Sequence, residues 1–202
     1  MPAEPVLCRF PYPMADLPKD FARRALQYGP TGQERSQQAW SLMTHVLKEQ
    51  GLPPEAFCLA EAAGKPVLKN SSLQISLAHC KSGAAVLVCE QPCGVDIEEA
   101  DRTFSLALRR KMQNRLQQAG LLTGRQGDEG RQDGGLISSR RLLFLLCRLE
   151  AGCKAFGLSL FEGAAFETLG QILPLTQAKE EDGFVIGWCV IPNGKCAEQS
   201  GI

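Results

Sequence analysis

Residues 73–98 read LQISLAHCKSGAAVLVCEQPCGVDIE, and this stretch decides how the fold is interpreted. It holds three short apolar segments, LQISLA, AAVLVC and CGVDIE, separated by Gly, Ser and Pro, a pattern typical of neighbouring strands. We therefore expect these segments to form the sheet of the first half of the chain.

Helical periodicity precedes these strands. Residues 15–28 predict a short helix with clustered basic side chains. A longer helix follows, in which Thr31 and Glu34 have the spacing of a capping box and Gly51 ends the apolar run. The first half is therefore expected to contain two helices followed by strands.

The same order of elements recurs after the strands. Thr103 is placed to cap a helix that Gly120 ends. Ser138 or Ser139 can cap a longer helix closed by Gly157, and further strands follow, the clearest over residues 184–191. The pattern predicts an α+β chain of two similarly built halves, residues 1–100 and 101–202.

Residues 123–135 interrupt the second half. This stretch reads TGRQGDEGRQDGG and contains five glycines and almost no apolar side chains. Such a composition contributes little to a core, so we expect a mobile surface loop, either a disordered insertion or a segment that orders on a partner.

The composition excludes several classes of protein. With 202 residues, of which 44% are apolar, the chain can bury a proper core. Its 22 basic and 22 acidic residues balance, so no overall field marks a protein that binds nucleic acid or a membrane surface. No signal peptide and no apolar run of membrane-spanning length are evident. We expect a cytoplasmic monomer.

The nine cysteines are many for such a chain, but their number is odd and no CxxC pair occurs. Most lie within apolar runs, where a reduced cysteine packs as a small hydrophobic residue. A cysteine-based redox or metal protein remains an alternative.

The segment GVDIE carries the first candidate site. On a strand, Asp96 and Glu98 point to the same face and Val95 and Ile97 to the other. Two neighbouring carboxylates suit a hard cation such as magnesium, which also prefers phosphate oxygens and water. The same alternation is also common on any strand that has one solvent-exposed face, without a metal site.

Two other groups of residues suggest contacts with phosphate. Glu150 and Lys154 lie one turn apart on the predicted long helix, so an acid and a base project together, as they also would in a simple surface pair. Lys65 follows a glycine and His79 ends an apolar strand, where either side chain could meet a phosphate oxygen.

The order of these motifs carries a resemblance. Gly-Lys-Pro at residues 64–66, a strand ending in His79, the segment GVDIE and, about fifty residues later, the run EAGCKAFG from Glu150 resemble the 4′-phosphopantetheinyl transferase family. The similarity is to the surfactin-synthetase-activating type, which implies a pseudodimer of two α+β halves.

The resemblance implies a magnesium-dependent enzyme that transfers 4′-phosphopantetheine from coenzyme A to a serine of an apo acyl or peptidyl carrier protein and releases 3′,5′-ADP. Glu150 would act as general base and Lys154 would contact the diphosphate. The remaining carried-over roles are magnesium binding by Asp96, Glu98 and Glu150, and coenzyme A binding by Lys65, His79, Lys154 and Arg35.

Three motifs depart from the pattern of the family. Where the family usually has Trp-x-x-Lys-Glu-Ala, residues 146–151 read LCRLEA, so a tryptophan and a lysine are missing. A Gly-Arg pair is absent near Trp40, and the usual Ser-His pair is Ala78-His79. An alternative is therefore a catalytically weakened member that binds a carrier protein or a nucleotide as an interaction module.

Overall fold

The computed structural model describes residues 3–27, 29–62, 65–118, 120–122, 131–132, 136–158 and 165–192. Helices and strands together form a mixed α+β fold, as the sequence predicts. The N-terminal elements are β1 (Val6–Arg9), α1 (Lys19–Ala25), α2 (Pro30–Glu49), β2 (Leu59–Ala62), β3 (Lys65–Leu68), β4 (Gln74–His79) and β5 (Gly83–Cys89). The remaining elements are β6 (Cys93–Glu99), α3 (Leu106–Gln118), β7 (Arg131–Gln132), β8 (Leu136–Ile137), α4 (Ser139–Phe156), α5 (Ala165–Ile172), β9 (Thr176–Glu181) and β10 (Phe184–Val190).

Two three-stranded antiparallel sheets form the centre of the fold. The first has the order β1-β5-β4 and the second the order β6-β10-β9. Strands β2 and β3 pair with each other, as do β7 and β8. The three expected segments do form strands, but β6 pairs with β10 rather than with the strands before it. The expectation that GVDIE belongs to the sheet of the first half is therefore wrong.

The strands of each large sheet carry apolar residues on both faces, and both faces are buried. One long helix covers one face of each sheet, and the other large sheet covers the second face. On β5, Val86 joins the core beneath α2, whereas Leu87 faces the second sheet. On β10, Val185 packs under α4, whereas Ile186 faces the first sheet. The layers therefore run from α2 through the two sheets to α4.

Both ends of α4 agree with the prediction, as do the C-terminal ends of α2 before Gly51 and of α3 before Gly120, whereas the N-caps of α2 and α3 differ from it. Ser138 is the N-cap of α4, and its side chain accepts a hydrogen bond from the Arg141 N–H, while Gly157 ends the helix at φ 68°. Helix α2 begins at Pro30 after Gly29, so Thr31 lies inside the helix. At α3, the hydroxyl of Ser105, rather than Thr103, accepts from the Leu108 N–H.

Several predictions fall outside or at the limits of the described residues. The glycine-rich stretch 123–135 lies outside them except for β7, and Gly64 and Cys196 also lie outside. The division at residue 100 stays a prediction. Within the described residues, no helix combines the length and the apolar character needed to cross a membrane.

Candidate functional site

Two glycines bring α4 into backbone contact with the second sheet. A Cβ atom on Gly94 of β6 would lie 1.9 Å from the carbonyl oxygen of Ala151, and one on Gly187 of β10 would lie 2.4 Å from the Cys147 carbonyl carbon. Both distances are too short for any side chain. The absence of a Cβ at these positions therefore sets how closely α4 approaches β6, and with it the position of the acidic motif.

This close approach places Lys154 of α4 beside Asp96 of β6. The Lys154 ammonium donates hydrogen bonds to Asp96 Oδ1 at 2.8 Å and to the Val95 carbonyl oxygen at 3.0 Å. Burial opposes the charge on Lys154, but Asp96 and Glu150 outweigh it, and the pKa of the lysine lies above its ordinary value. An ammonium has three N–H donors, so one remains beyond these two contacts.

Glu98 lies on the same strand and pairs with Arg102, which follows β6. Burial raises the pKa of the Glu98 carboxyl, and the negative charge of Asp96 adds to this shift, against the lowering effect of Arg102. The two acids of the strand therefore influence each other, as their shared face predicts, although each contacts a different cation.

Glu150 is the most perturbed acid of this group. Burial, followed by the charge of Asp96, raises its pKa from 4.5 to about 7, while Lys154 acts in the opposite direction. Glu98 contributes to the increase as well. A carboxyl group whose pKa lies near neutrality can accept a proton at physiological pH, and such groups are frequent at catalytic sites.

The donor set suits magnesium in chemical type, since all three predicted ligands are carboxylates. Nevertheless, among the described residues no three His, Cys, Asp or Glu side chains are grouped closely enough to hold a metal ion together. Asp96 is turned towards Lys154 and Glu98 towards Arg102. The metal assignment of Asp96, Glu98 and Glu150 stays a prediction.

Arg35 and His79 extend the site along the first sheet. Arg35 lies on α2 and His79 is the last residue of β4. Burial lowers the pKa of the His79 imidazole, and the positive charges of Arg35 and Lys154 lower it further. A neutral histidine between two cations can accept or donate a hydrogen bond without adding charge. The three side chains therefore form one electropositive region.

Lys65 lies at the opposite end of this region, on β3. Its ammonium donates to the Cys93 carbonyl oxygen at 2.5 Å, and burial lowers its pKa. Lys65 and Lys154 both line a cavity of about 220 Å³, whose apolar wall includes Ile75, Leu77 and Leu158. Two larger cavities lie beside α1, and none of the predicted site residues lines either of them. One of the two shares Pro66 with the smaller cavity.

Arg148 does not take the place of the lysine that the family has near this position. Its guanidinium donates to the Leu173 carbonyl oxygen at 2.8 Å and to Thr176 Oγ1 at 3.0 Å, on the side of α4 that contacts β9 and the residues before it. Burial lowers its pKa. The residue connects α4 to the start of β9 instead of facing the acidic motif.

Replacing Arg148 by methionine is therefore expected to lower the free energy of unfolding by about 1–3 kcal/mol, because the carbonyl and hydroxyl groups it bonds lose a charged donor. The binding of coenzyme A that the resemblance implies should be unchanged. Urea denaturation and calorimetric titration measure the two quantities, with Arg110→Met on the exposed face of α3 as the matched control. Weaker coenzyme A binding without a loss of stability would contradict this structural role.

Sequence reasoning missed two contacts of the site. Ser76 of β4 accepts a hydrogen bond from the Val95 N–H at 3.0 Å and so joins the two sheets beside the acidic motif. Arg102 pairs with Glu98 across the end of β6. The four-residue spacing of Glu98 and Arg102 is a weak signal for the second contact, whereas no local pattern indicates the first.

The chain was also compared with known proteins, and neither a family model nor a curated protein matches it.

Proposed function

We propose that the chain transfers the 4′-phosphopantetheine arm of coenzyme A to a serine of an acyl or peptidyl carrier protein, releasing 3′,5′-ADP. The observation that carries this proposal is the contact between Lys154 and Asp96, which are 58 positions apart in the sequence. It joins the two motifs on which the resemblance to the 4′-phosphopantetheinyl transferases rests. Each motif alone has an ordinary structural explanation, but their meeting around Glu150 supports a shared site.

The cationic side chains suit a substrate that carries several phosphates. Lys154 can offer its remaining donor to the diphosphate, while Arg35, His79 and Lys65 flank the same region and suit the nucleotide end. The cavity of about 220 Å³ is far smaller than coenzyme A, so it would take only part of the molecule, and its apolar wall suits the aliphatic arm.

Glu150 is the best candidate for the general base. With its pKa raised to about 7, it can accept the proton of the carrier serine as the hydroxyl oxygen attacks the β-phosphorus of coenzyme A. The bond from phosphorus to the oxygen of 3′,5′-ADP then breaks, and the negative charge that develops on the departing phosphate is stabilised by Lys154.

Asp96, Glu98 and Glu150 would hold magnesium, once Asp96 and Glu98 turn from their cationic partners. When bound, the ion supplies positive charge to the diphosphate. The contacts with Lys154 and Arg102 keep the acids neutralised without it.

We further propose that the two halves are related as in a pseudodimer. In the sheet β1-β5-β4, the last strand of the unit, β5, lies in the middle, between the first strand, β1, and the strand that precedes it in the chain, β4. The sheet β6-β10-β9 has the same order, with its last strand, β10, in the middle. A long helix lies between the first strand and the final hairpin in both units. This correspondence supports two units that meet in the connection between β5 and β6, before the predicted boundary at residue 100.

A second candidate function is a module that binds coenzyme A or a carrier protein without transfer. The observation that favours it is that Asp96 and Glu98 already have cationic partners, and that the described residues contain no group of three His, Cys, Asp or Glu side chains that could hold a metal ion. Arg148 also faces away from the site. Binding without product formation is the property that separates this candidate from the enzyme.

The test incubates the chain with coenzyme A, magnesium and a panel of apo carrier proteins and follows the mass of each carrier. One or more carriers should gain the mass of the phosphopantetheine arm, and Asp96→Asn should lower the rate on the order of a hundredfold, the scale for loss of a positioned electrostatic group. Asp101→Asn, at an exposed acid just beyond β6, is the matched control. Tight coenzyme A binding without any mass gain would instead favour the module.

A further inference from the structure

Two cysteines meet at the connection between the two sheets. Strand β5 ends at Cys89 and β6 begins at Cys93, with only Glu90, Gln91 and Pro92 between them. Cys93 belongs to the buried apolar cluster between the two sheets, and Cys89 packs against that cluster. The Cys89 thiol donates to the Gln91 carbonyl oxygen at 3.2 Å and the Cys93 thiol to the Leu87 carbonyl oxygen at 3.9 Å. The fold therefore places two thiols close together at the ends of one short turn, although the sequence has no CxxC motif.

The two thiols differ in exposure and in acidity. Cys89 is partly exposed, and the hydrogen bond from Cys93, with smaller contributions from the Gln91 backbone and Lys65, lowers its pKa to about 7 against the effect of burial. Cys93 is fully buried, and the same hydrogen bond together with burial raises its pKa. The reactive thiolate therefore forms at the more accessible sulfur.

This arrangement differs from the other described cysteines. At Cys8, Cys80, Cys153 and Cys189, burial raises the pKa of the thiol, as expected of cysteines that pack as small hydrophobic residues. Lys65 adds a second distinction, since its ammonium donates to the Cys93 carbonyl oxygen and acts on the Cys89 thiolate. A cation beside a partly exposed thiol with a second thiol close by is the environment of a reactive cysteine pair.

We propose that Cys89 and Cys93 form a reversible dithiol–disulfide pair that reacts with small-molecule disulfides, with Cys89 as the attacking thiol and Cys93 as the resolving thiol. The Cys89 thiolate attacks one sulfur of the small disulfide, forms a mixed disulfide and releases the first small thiolate. Cys93 then loses its proton and attacks the Cys89 sulfur, which releases the second. Two electrons pass to the reagent, which takes up the two protons as two thiols.

The burial of Cys93 determines the outcome of the first step. A small disulfide reaches the partly exposed Cys89, whereas the buried Cys93 is shielded from the reagent and can attack only the neighbouring Cys89 sulfur. The mixed disulfide should therefore be short-lived and the internal disulfide should accumulate. Because this pair lies outside the residues assigned to transfer, the proposal holds whether or not the chain is a transferase.

The test treats the full chain with oxidised glutathione, blocks free thiols with an alkylating reagent and digests with trypsin. Cleavage after Lys81 and Arg102 gives one peptide, residues 82–102, whose only cysteines are Cys89 and Cys93. We expect this peptide to lose the mass of two hydrogen atoms and to carry no alkyl group, and dithiothreitol should reverse the change. Before oxidation, Cys89 should alkylate about fivefold or more faster than Cys58.

Two variants complete the test. Cys93→Ser should accumulate the mixed glutathione disulfide at Cys89, and Cys89→Ser should leave Cys93 fully reduced under the same conditions. Cys58→Ser, at another partly exposed thiol, is the matched control and should leave the internal disulfide unchanged. A wild-type peptide that stays fully alkylated, or that retains glutathione on Cys89, would overturn the proposal without relying on either variant.

Discussion

Replacing Gly94 by alanine is expected to lower the free energy of unfolding by about 3 kcal/mol or more, because the new methyl group would overlap backbone atoms of α4. The nearest atoms are the Ala151 carbonyl oxygen at 1.9 Å and the Ala155 nitrogen at 2.7 Å. Backbone atoms within a helix cannot move aside singly, so α4 as a whole must shift away from β6. Urea denaturation followed by circular dichroism measures the change.

The matched control for this substitution is Gly170→Ala in α5, where an added Cβ atom meets nothing within 4 Å. There alanine should be neutral or should stabilise the helix by up to about 1 kcal/mol, because glycine is the poorer helix former. Equal stabilities for Gly94→Ala and the unsubstituted chain would show that α4 lies farther from β6 than the structure indicates. The positions of Glu150 and Lys154 relative to Asp96 would then need revision.

For the proposed transferase, Glu150→Gln should lower the rate of phosphopantetheine transfer by at least about a hundredfold, because the amide cannot accept the proton of the attacking serine. In the unsubstituted chain, the rate should rise with pH as the carboxyl ionises, with a midpoint below the metal-free pKa of about 7 because bound magnesium favours the carboxylate. The measurement is the mass gain of an accepted carrier protein at a series of pH values. A variant with full turnover would remove Glu150 from the mechanism.

The same substitution should stabilise the fold at alkaline pH. Folding raises the pKa of Glu150 from 4.5 to about 7, so it disfavours the ionised carboxylate. The resulting penalty is absent below pH 4.5, grows as the pH rises through 7 and is complete above it. Removing it with glutamine should increase the free energy of unfolding at pH 8 by about 1–3 kcal/mol.

This gain is measured in the presence of a chelator, so that bound metal does not offset the charge of the carboxylate. Glu55→Gln, at an exposed acid in the segment after α2, should leave both the rate and the stability unchanged. A Glu150→Gln variant that is inactive but more stable separates loss of chemistry from loss of folding. An inactive variant that is less stable at pH 8 would instead indicate that Glu150 supports the structure.

Local features of the fold were predictable from the sequence, and long-range pairings were not. The limits of α4 follow from Ser138 and Gly157, because the cap and the left-handed residue act on their own neighbours. The strand character of the segment GVDIE is likewise local. Its partner is not, since β6 pairs with β10, which lies almost ninety residues further along the chain, and no feature of either strand specifies this choice.

The candidate site shows the same distinction. The alternation in GVDIE places Asp96 and Glu98 on one face, and the helical spacing of Glu150 and Lys154 places that pair together. That the two pairs meet depends on the close contact at Gly94, which only the packed structure reveals. The direction of Arg148 was equally inaccessible, because its partners Leu173 and Thr176 come from a distant turn.

The strand order has a consequence for the integrity of the chain. In the described part of the chain, every ladder hydrogen bond joins strands that lie on the same side of Gln91. A peptide-bond break at Gln91 would thus leave both sheets complete, and the fragments would remain associated through the apolar layer between Leu87 and Ile186 and through the bond from Ser76 to Val95. The Lys154–Asp96 contact would survive such a break, because both residues belong to the C-terminal fragment.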